Sequence, residues 1–238
     1  MKYCFFIFIL FLSLEMFSQN CMNKKLNDRD GKGRLVFSDD FNREETDDTR
    51  EELGKDWVTN SLKRAKGIKQ ADLKDNQLHL FKIKEANHAV SARHNAPFKN
   101  GFVEVKFMIT DKKGINFNFN DPSIKDLAWA GHVCQVKITP NDQKEGVFKM
   151  STHIKRKAGA SKEEVNKLIK GTINKVKNET LFNTWYAIKI QFTEHILTLY
   201  IHGKEIGLHT SSGFANIKQN IAFVVDSYAI IDDLVVYS

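Results

Sequence analysis

Apolar and polar residues alternate one by one over most of this chain, which is the period of half-buried β-strands. Between Gly101 and Thr110, Val103, Val105, Phe107 and Ile109 fall on one face, with Glu104 and Lys106 on the other. Leu78 and Leu80 alternate with His79 and Phe81, and Ile115, Phe117 and Phe119 alternate with Asn116, Asn118 and Asn120. In the run from His132 to Thr139, simple alternation gives His132 the parity of Cys134, Val136 and Ile138, opposite Gln135 and Lys137. Tyr186, Ile188, Ile190 and Phe192 form a further row. ILTLYIHGKEIGLH reads as a hairpin turning at His202-Gly203-Lys204, where glycine permits a positive φ. Ile221 to Val225 and Ile230 to Tyr237 close the chain as two more strands. The pattern predicts an all-β antiparallel sandwich of about ten to thirteen strands.

One segment departs from this period. Ser161-Lys162-Glu163-Glu164 has the form of a capping box, and Val165, Leu168, Ile169, Ile173 and Val176 follow at helical spacing. The expectation is a helical insertion over residues 161–177, weakened at Gly171 by about 1 kcal/mol relative to alanine. Glu44 to Asp56 is acidic and polar, and reads as a surface loop.

The ends and the charge set the context. Residues 1–19 carry one positive charge, Lys2, then an apolar run from Cys4 to Leu14 and a polar exit. That run falls short of the roughly 20 residues a spanning helix needs and has the form of a cleavable export signal. The sequence therefore predicts a periplasmic or secreted protein with no membrane span: a signal over 1–19, a polar leader over 20–33 and one domain over 34–238. Net charge is +7, which reads as general solubility from lysines scattered over the surface or as a preference for acidic partners; among those, export selects acidic polysaccharide over nucleic acid. Only Cys21 and Cys134 follow the signal. They are one disulfide or two lone thiols, and not a cysteine metal cluster.

Several chemistries are excluded by what is missing. There is no phosphate-cradling glycine loop, no Gly-x-Ser-x-Gly elbow and no His-Glu-x-x-His zinc helix. Nor does any strand carry the alternating carboxylates with which retaining glucanases on jelly-roll folds place acid and nucleophile about 5 Å apart. The paired acids Asp39-Asp40, Asp47-Asp48 and Asp232-Asp233 are adjacent in sequence and suit turns. His88 and His94 stand six residues apart, about 20 Å on a strand, too far for one ion, so neither metal nor cofactor is expected.

The informative block runs from Asn87 to His153. Asn116, Asn118 and Asn120 place three amides on one strand face, suited to sugar hydroxyls or equally to solvent. Gln135 repeats the pattern on a second strand, and Trp129 offers a ring for stacking on a sugar or for capping the core. His132 reads either as a core-edge histidine or as a working group.

The stretches LVFSDDFNREE…LGKDW, NHAVSARHNAPFKNGFVEVKF and FNFNDPSIKDLAWAGHVCQVKITPND resemble exported proteins of the 3-keto-disaccharide hydrolase-like group, as does the closing WYAIKIQF…LTLYIHGKEIG…AIIDDLVVYS. The likeness spans roughly Leu35 to Tyr237. It implies a concanavalin A-like jelly roll acting on glycosides already oxidised at C3. There a base removes the acidified C2 proton and the C1 substituent leaves. For such a step on this fold, residue chemistry rather than any catalytic motif points to His132 or His88 as base and Arg93 and Lys137 as stabilisers of the enolate oxygen, with Asn118 and Asp121 orienting the sugar. The alternative on the same fold is a carbohydrate-binding module without catalysis.

Overall fold

The computed structural model describes residues 33–125, 131–141, 144–152 and 161–238. The segment expected to be an export signal, most of the expected leader, Cys21, Trp129 and His153 lie outside them. Alternation builds two antiparallel sheets whose apolar faces meet. The first contains β1 (Leu35–Asp39), β3 (Ala71–Lys74), β4 (Gln77–Phe81), β6 (Gly101–Ile109), β11 (Trp185–Thr193), β12 (Ile196–Ile201), β13 (Lys204–Thr210) and β15 (Tyr228–Tyr237). Its order is β13-β12-β11-β6-β15-β4-β3, with β1 also on β15. The second contains β2 (Val58–Thr59), β5 (Val90–Phe98), β7 (Ile115–Asn120), β8 (His132–Pro140), β9 (Glu145–Thr152), β10 (Ile173–Glu179) and β14 (Lys218–Val225). Its order is β10-β9-β8-β7-β14-β5-β2. This is a jelly-roll sandwich.

Aromatic rings lock the two layers. Phe107 meets Phe117 edge-on at 5.6 Å, and Phe192 meets Phe119 at 4.9 Å. Each pair joins a strand of the first sheet to one of the second, and such contacts add about 0.5–1.5 kcal/mol beyond area burial. The β12–β13 hairpin turns at His202 (φ 48°) and Gly203 (φ 77°), as the sequence predicts. Among the described residues, no helix is long and apolar enough to cross a membrane.

The 161–177 helix is half right. Ser161 and Glu164 do form a reciprocal cap: the Glu164 N–H donates to Ser161 Oγ at 3.1 Å, and the Ser161 N–H to Glu164 Oε2 at 2.8 Å. After a one-turn helix α1 (Ser61–Arg64) earlier in the chain, α2 runs only from Lys162 to Lys170. Residues 173–179 instead extend the second sheet, pairing with β9 from Ile173↔Ser151 to Glu179↔Glu145. Gly171 weakens helix propagation, while the open edge of β9 offers hydrogen bonds to every second residue of the segment. The edge wins.

The opening turn hangs on one buried carboxylate. The Asp39 side chain is fully buried and accepts bonds from Arg43 (2.6 and 3.0 Å), Lys55 Nζ (3.0 Å), Trp57 Nε1 (2.7 Å) and the Phe41 N–H (3.0 Å). Burial alone would raise its pKa, but the donors together hold it below the ordinary carboxylate value of 3.8. A lowered folded-state pKa contributes stability that is present above 3.8 and lost as pH falls through the folded value. Asp39→Ala leaves these donors facing a void and is expected to cost about 3–5 kcal/mol in urea unfolding at pH 7. The deficit should shrink as the unfolding is repeated toward pH 2.

Candidate functional site

The outer face of the second sheet carries three ranks of side chains, set by strand register. The first rank reads Asn95, Asn220, Asn120 and His132 across β5, β14, β7 and β8. The second reads Arg93, Ala222, Asn118, Gln135, Ser151 and Ile173 across β5, β14, β7, β8, β9 and β10. The third reads Ser91, Val224, Asn116, Lys137, Lys149 and Lys175 across the same six strands.

His132 reaches this face through a β-bulge. Cys134 pairs with Phe119 and His132 pairs with Asn120, so Val133 is an extra residue on β8. Val133 and Cys134 are both buried, at 1% and 0% exposure. Two successive inward residues reverse the parity before them. The simple alternation that puts His132 with Cys134 is therefore corrected: His132 stands with Gln135 and Lys137 on the outer face. Cys134 is a free, buried thiol, pushed up to about 12 by burial.

A groove of about 310 Å³ opens over the first two ranks and reaches Ser91 and Val224 of the third. His88, Arg93, Asn118, Lys125, His132 and Asn220 contribute to its wall. His88 comes from the loop before β5, and Lys125 from the loop after β7. Asn120 Nδ2 donates to Asn220 Oδ1 at 2.9 Å, tying the first rank together. Burial, then repulsion from His88, holds the His132 imidazole below its usual 6.5, so the ring is neutral at pH 7. None of the described residues lining the groove is an aspartate or glutamate. The Oδ1 atoms of Asn116, Asn118 and Asn120 and the Ser151 hydroxyl are buried without a hydrogen-bond partner. Four such polar atoms on one face call for ordered water or a ligand to meet them.

The residues singled out from sequence are thus sorted. His88, Arg93, Asn118 and His132 converge on the groove. Gln135 sits beside Asn118 on the same face. Lys137 lies two ranks from His132, roughly 13 Å along the strand, and outside the groove. Asp121 is buried and occupied locally, accepting from the Ser123 N–H (2.9 Å) and Ser123 Oγ (2.6 Å). His94 points inward, stacked on Phe37 at 3.6 Å, and so parts from His88. Sequence reading missed Asn220, Ser91 and Lys125. The alternation of Asn220, Ala222 and Val224 with Ile221, Phe223 and Val225 was the available signal for the first.

A larger hollow of about 800 Å³ lies on the first sheet. Its charges already answer one another: Lys55 with Asp39 (3.0 Å), Lys106 with Asp233 (2.5 Å), Lys189 with Glu104 (3.9 Å). It presents satisfied pairs, where the smaller groove presents unsatisfied acceptors. Among the described residues, no three His, Cys, Asp or Glu side chains are grouped to hold a metal ion.

No protein-family model matches the chain, and no curated protein matches it in sequence. Solved structures do match. A non-specific endo-β-1,3(4)-glucanase of family GH16, SCLam, is 11% identical, with 86% of this chain and 91% of that chain covered and a TM-score of 0.57. The laminarinase from Flavobacterium sp. UMI-01 is 14% identical over 86% of this chain and all of the other, at 0.54. The carbohydrate-binding module CBM66 from Bacillus subtilis is 12% identical over 76% and 95%, at 0.50. At such identities the likeness establishes the fold: this chain is a concanavalin A-like jelly roll.

Proposed function

We propose that this chain is an exported carbohydrate-active protein whose groove cleaves glycosides carrying a keto group at C3, by elimination. The observation that carries the reading is a neutral, half-buried His132 that shares with Arg93 and Lys125 a groove whose described lining holds no carboxylate. Glycoside hydrolysis of the glucanase kind needs two carboxyl groups, about 5–5.5 Å apart when configuration is retained. This lining offers a base and cations instead. Both enzymes and a binding module share the fold, so a sugar ligand on this face is in keeping with the neighbours.

In the proposed step, His132 takes the C2 proton, and the C–H electron pair forms an enolate with its charge on the C3 oxygen. Arg93 and Lys125, which line the same groove, are the cations available to that oxygen. Collapse of the enolate restores the C3 carbonyl, forms a C1–C2 double bond and expels the C1 oxygen, which takes up a proton. Asn118 and Asn120 orient the ring through its hydroxyls. Proton transfer by a positioned base contributes about 10²–10⁴-fold.

His132→Ala is accordingly expected to lower turnover of a 3-keto-disaccharide at least about a hundredfold with KM little changed. A loss under about tenfold removes His132 as the base. The rate should rise with pH through a midpoint below 6.5, because the working form is the neutral ring. His88→Gln deletes the like charge that opposes protonation, so it should move that midpoint upward; a pH–rate profile of both proteins reads the shift. The row of unpartnered amide oxygens also favours a second reading, a module that binds glycans without cutting them. Tight binding with no product from any 3-keto-glycoside would establish that reading instead.

A further inference from the structure

Beyond the groove, the third rank continues as Lys137, Lys149 and Lys175 on β8, β9 and β10, directly abreast. Neighbouring strands lie about 4.8 Å apart, so the three cations span roughly 10 Å. None of them forms an ion pair with a described residue. Two acids of the same region are paired elsewhere. Asp226, which feels Lys137, is bonded by Lys82 at 2.8 Å and approached by Lys113 at 3.8 Å. Glu145, at the far end of β9, pairs with Lys177 at 3.0 Å.

Like charges directly opposite on paired strands are destabilising. Burial, then repulsion from Lys137 and Lys175, pushes the Lys149 ammonium below its ordinary 10.5. A rank that works against the fold, placed on the face that already holds unanswered acceptors, is the pattern expected of a binding surface. The second rank supplies an independent sign. Ser151 is 4% exposed and Asn118 8% exposed, and each carries an oxygen without a partner beside this lysine row. Neutral acceptors next to bare cations fit a ligand with both hydroxyls and anions.

We propose that Lys137, Lys149 and Lys175 form an anion subsite beside the groove, so that the glycan bound on this face is an acidic one carrying uronate carboxylates or sulfate esters. The inference rests on the glycan-binding reading above and names its substrate class. One end of the chain occupies the His132 groove, and its anionic residues extend across β8, β9 and β10.

The test uses the purified full-length secreted protein and isothermal titration with four probes. These are an oligogalacturonide, its carboxyl-reduced counterpart, a sulfated galactan oligosaccharide and a single-stranded oligonucleotide of matched charge. One of the two acidic sugars is expected to bind at least about tenfold tighter than the reduced one, with affinity falling as salt is raised. Which of the two binds better identifies the anion. Lys149→Gln and Lys175→Gln should each weaken that binding about tenfold while leaving the reduced sugar unaffected. Lys149→Gln relieves repulsion, so its melting temperature should equal or exceed that of the unaltered protein. Lys175 is exposed, which makes its variant a second reading free of packing effects.

Equal affinity for the acidic and reduced sugars overturns the subsite and leaves the glycan groove standing. Oligonucleotide binding as tight as either acidic sugar also overturns it, since the lysines then read charge alone. No binding of any sugar removes both proposals. Lysine-dependent binding of an acidic glycan, with no cleavage of its 3-keto form, supports the subsite and removes only the catalytic step.

Discussion

The site depends on one irregular residue, Val133. A strand that alternates strictly must send His132 into the core if Cys134, Val136 and Ile138 are there. Burying Val133 and Cys134 in succession inserts a bulge, and the bulge turns His132 outward to pair with Asn120. Bulges re-aim side chains at sheet edges and near active sites, at the expense of a locally disrupted ladder. Here the disruption sits at the N-terminal end of β8, just after Gly131, whose φ of 80° brings the chain in from the preceding loop. Gln135 and Lys137 hold the outer face by simple alternation, so the inserted valine decides one membership, that of His132 in the first rank.

The rest of the face is held still by the layer behind it. Ile115, Phe117 and Phe119 anchor β7 in the core, so Asn116, Asn118 and Asn120 have no choice of side. The Phe119–Phe192 and Phe107–Phe117 contacts fix the second sheet against the first. At the opening of the chain, Asp39 gathers Arg43, Lys55 and Trp57, and Trp57 in turn packs on Phe223 of β14 at 5.6 Å. A buried carboxylate far from the groove thus braces the strand that carries Asn220.

Much of this was legible in the residues because period 2 is a local signal. The faces of β6, β7 and β11 and the His202-Gly203 turn follow from alternation and turn chemistry alone. What was not legible depends on partners distant in sequence. A bulge adds one residue and leaves only two adjacent apolar positions, Val133 and Cys134, which any reading of a regular strand absorbs. Residues 173–179 carry apolar positions compatible with helix or strand, and only the open edge of β9 decides between them. His88 and His94 look alike in sequence, yet β5 begins at Val90, so His94 belongs to the core and His88 to a loop over the groove. The three abreast lysines come from three separate strands and exist as a group only through register.

Fold likeness to glucanases does not transmit their chemistry, and the composition of this face shows why. Carboxylate-pair hydrolysis stabilises a cationic sugar and needs negative charge close to C1. Arg93 and Lys125 in the groove, with three lysines abreast on the adjoining strands, make the opposite field, one that disfavours a developing positive charge and favours a developing negative one. An enolate is the transition-state charge that such a field stabilises, and a polyanion is the ground-state ligand it attracts. The two proposals thus draw on a single electrostatic fact at different points of the same face. They differ in what must be neutral: His132 has to shed its proton to act, and its surroundings press it to do so, whereas the lysines act by keeping theirs.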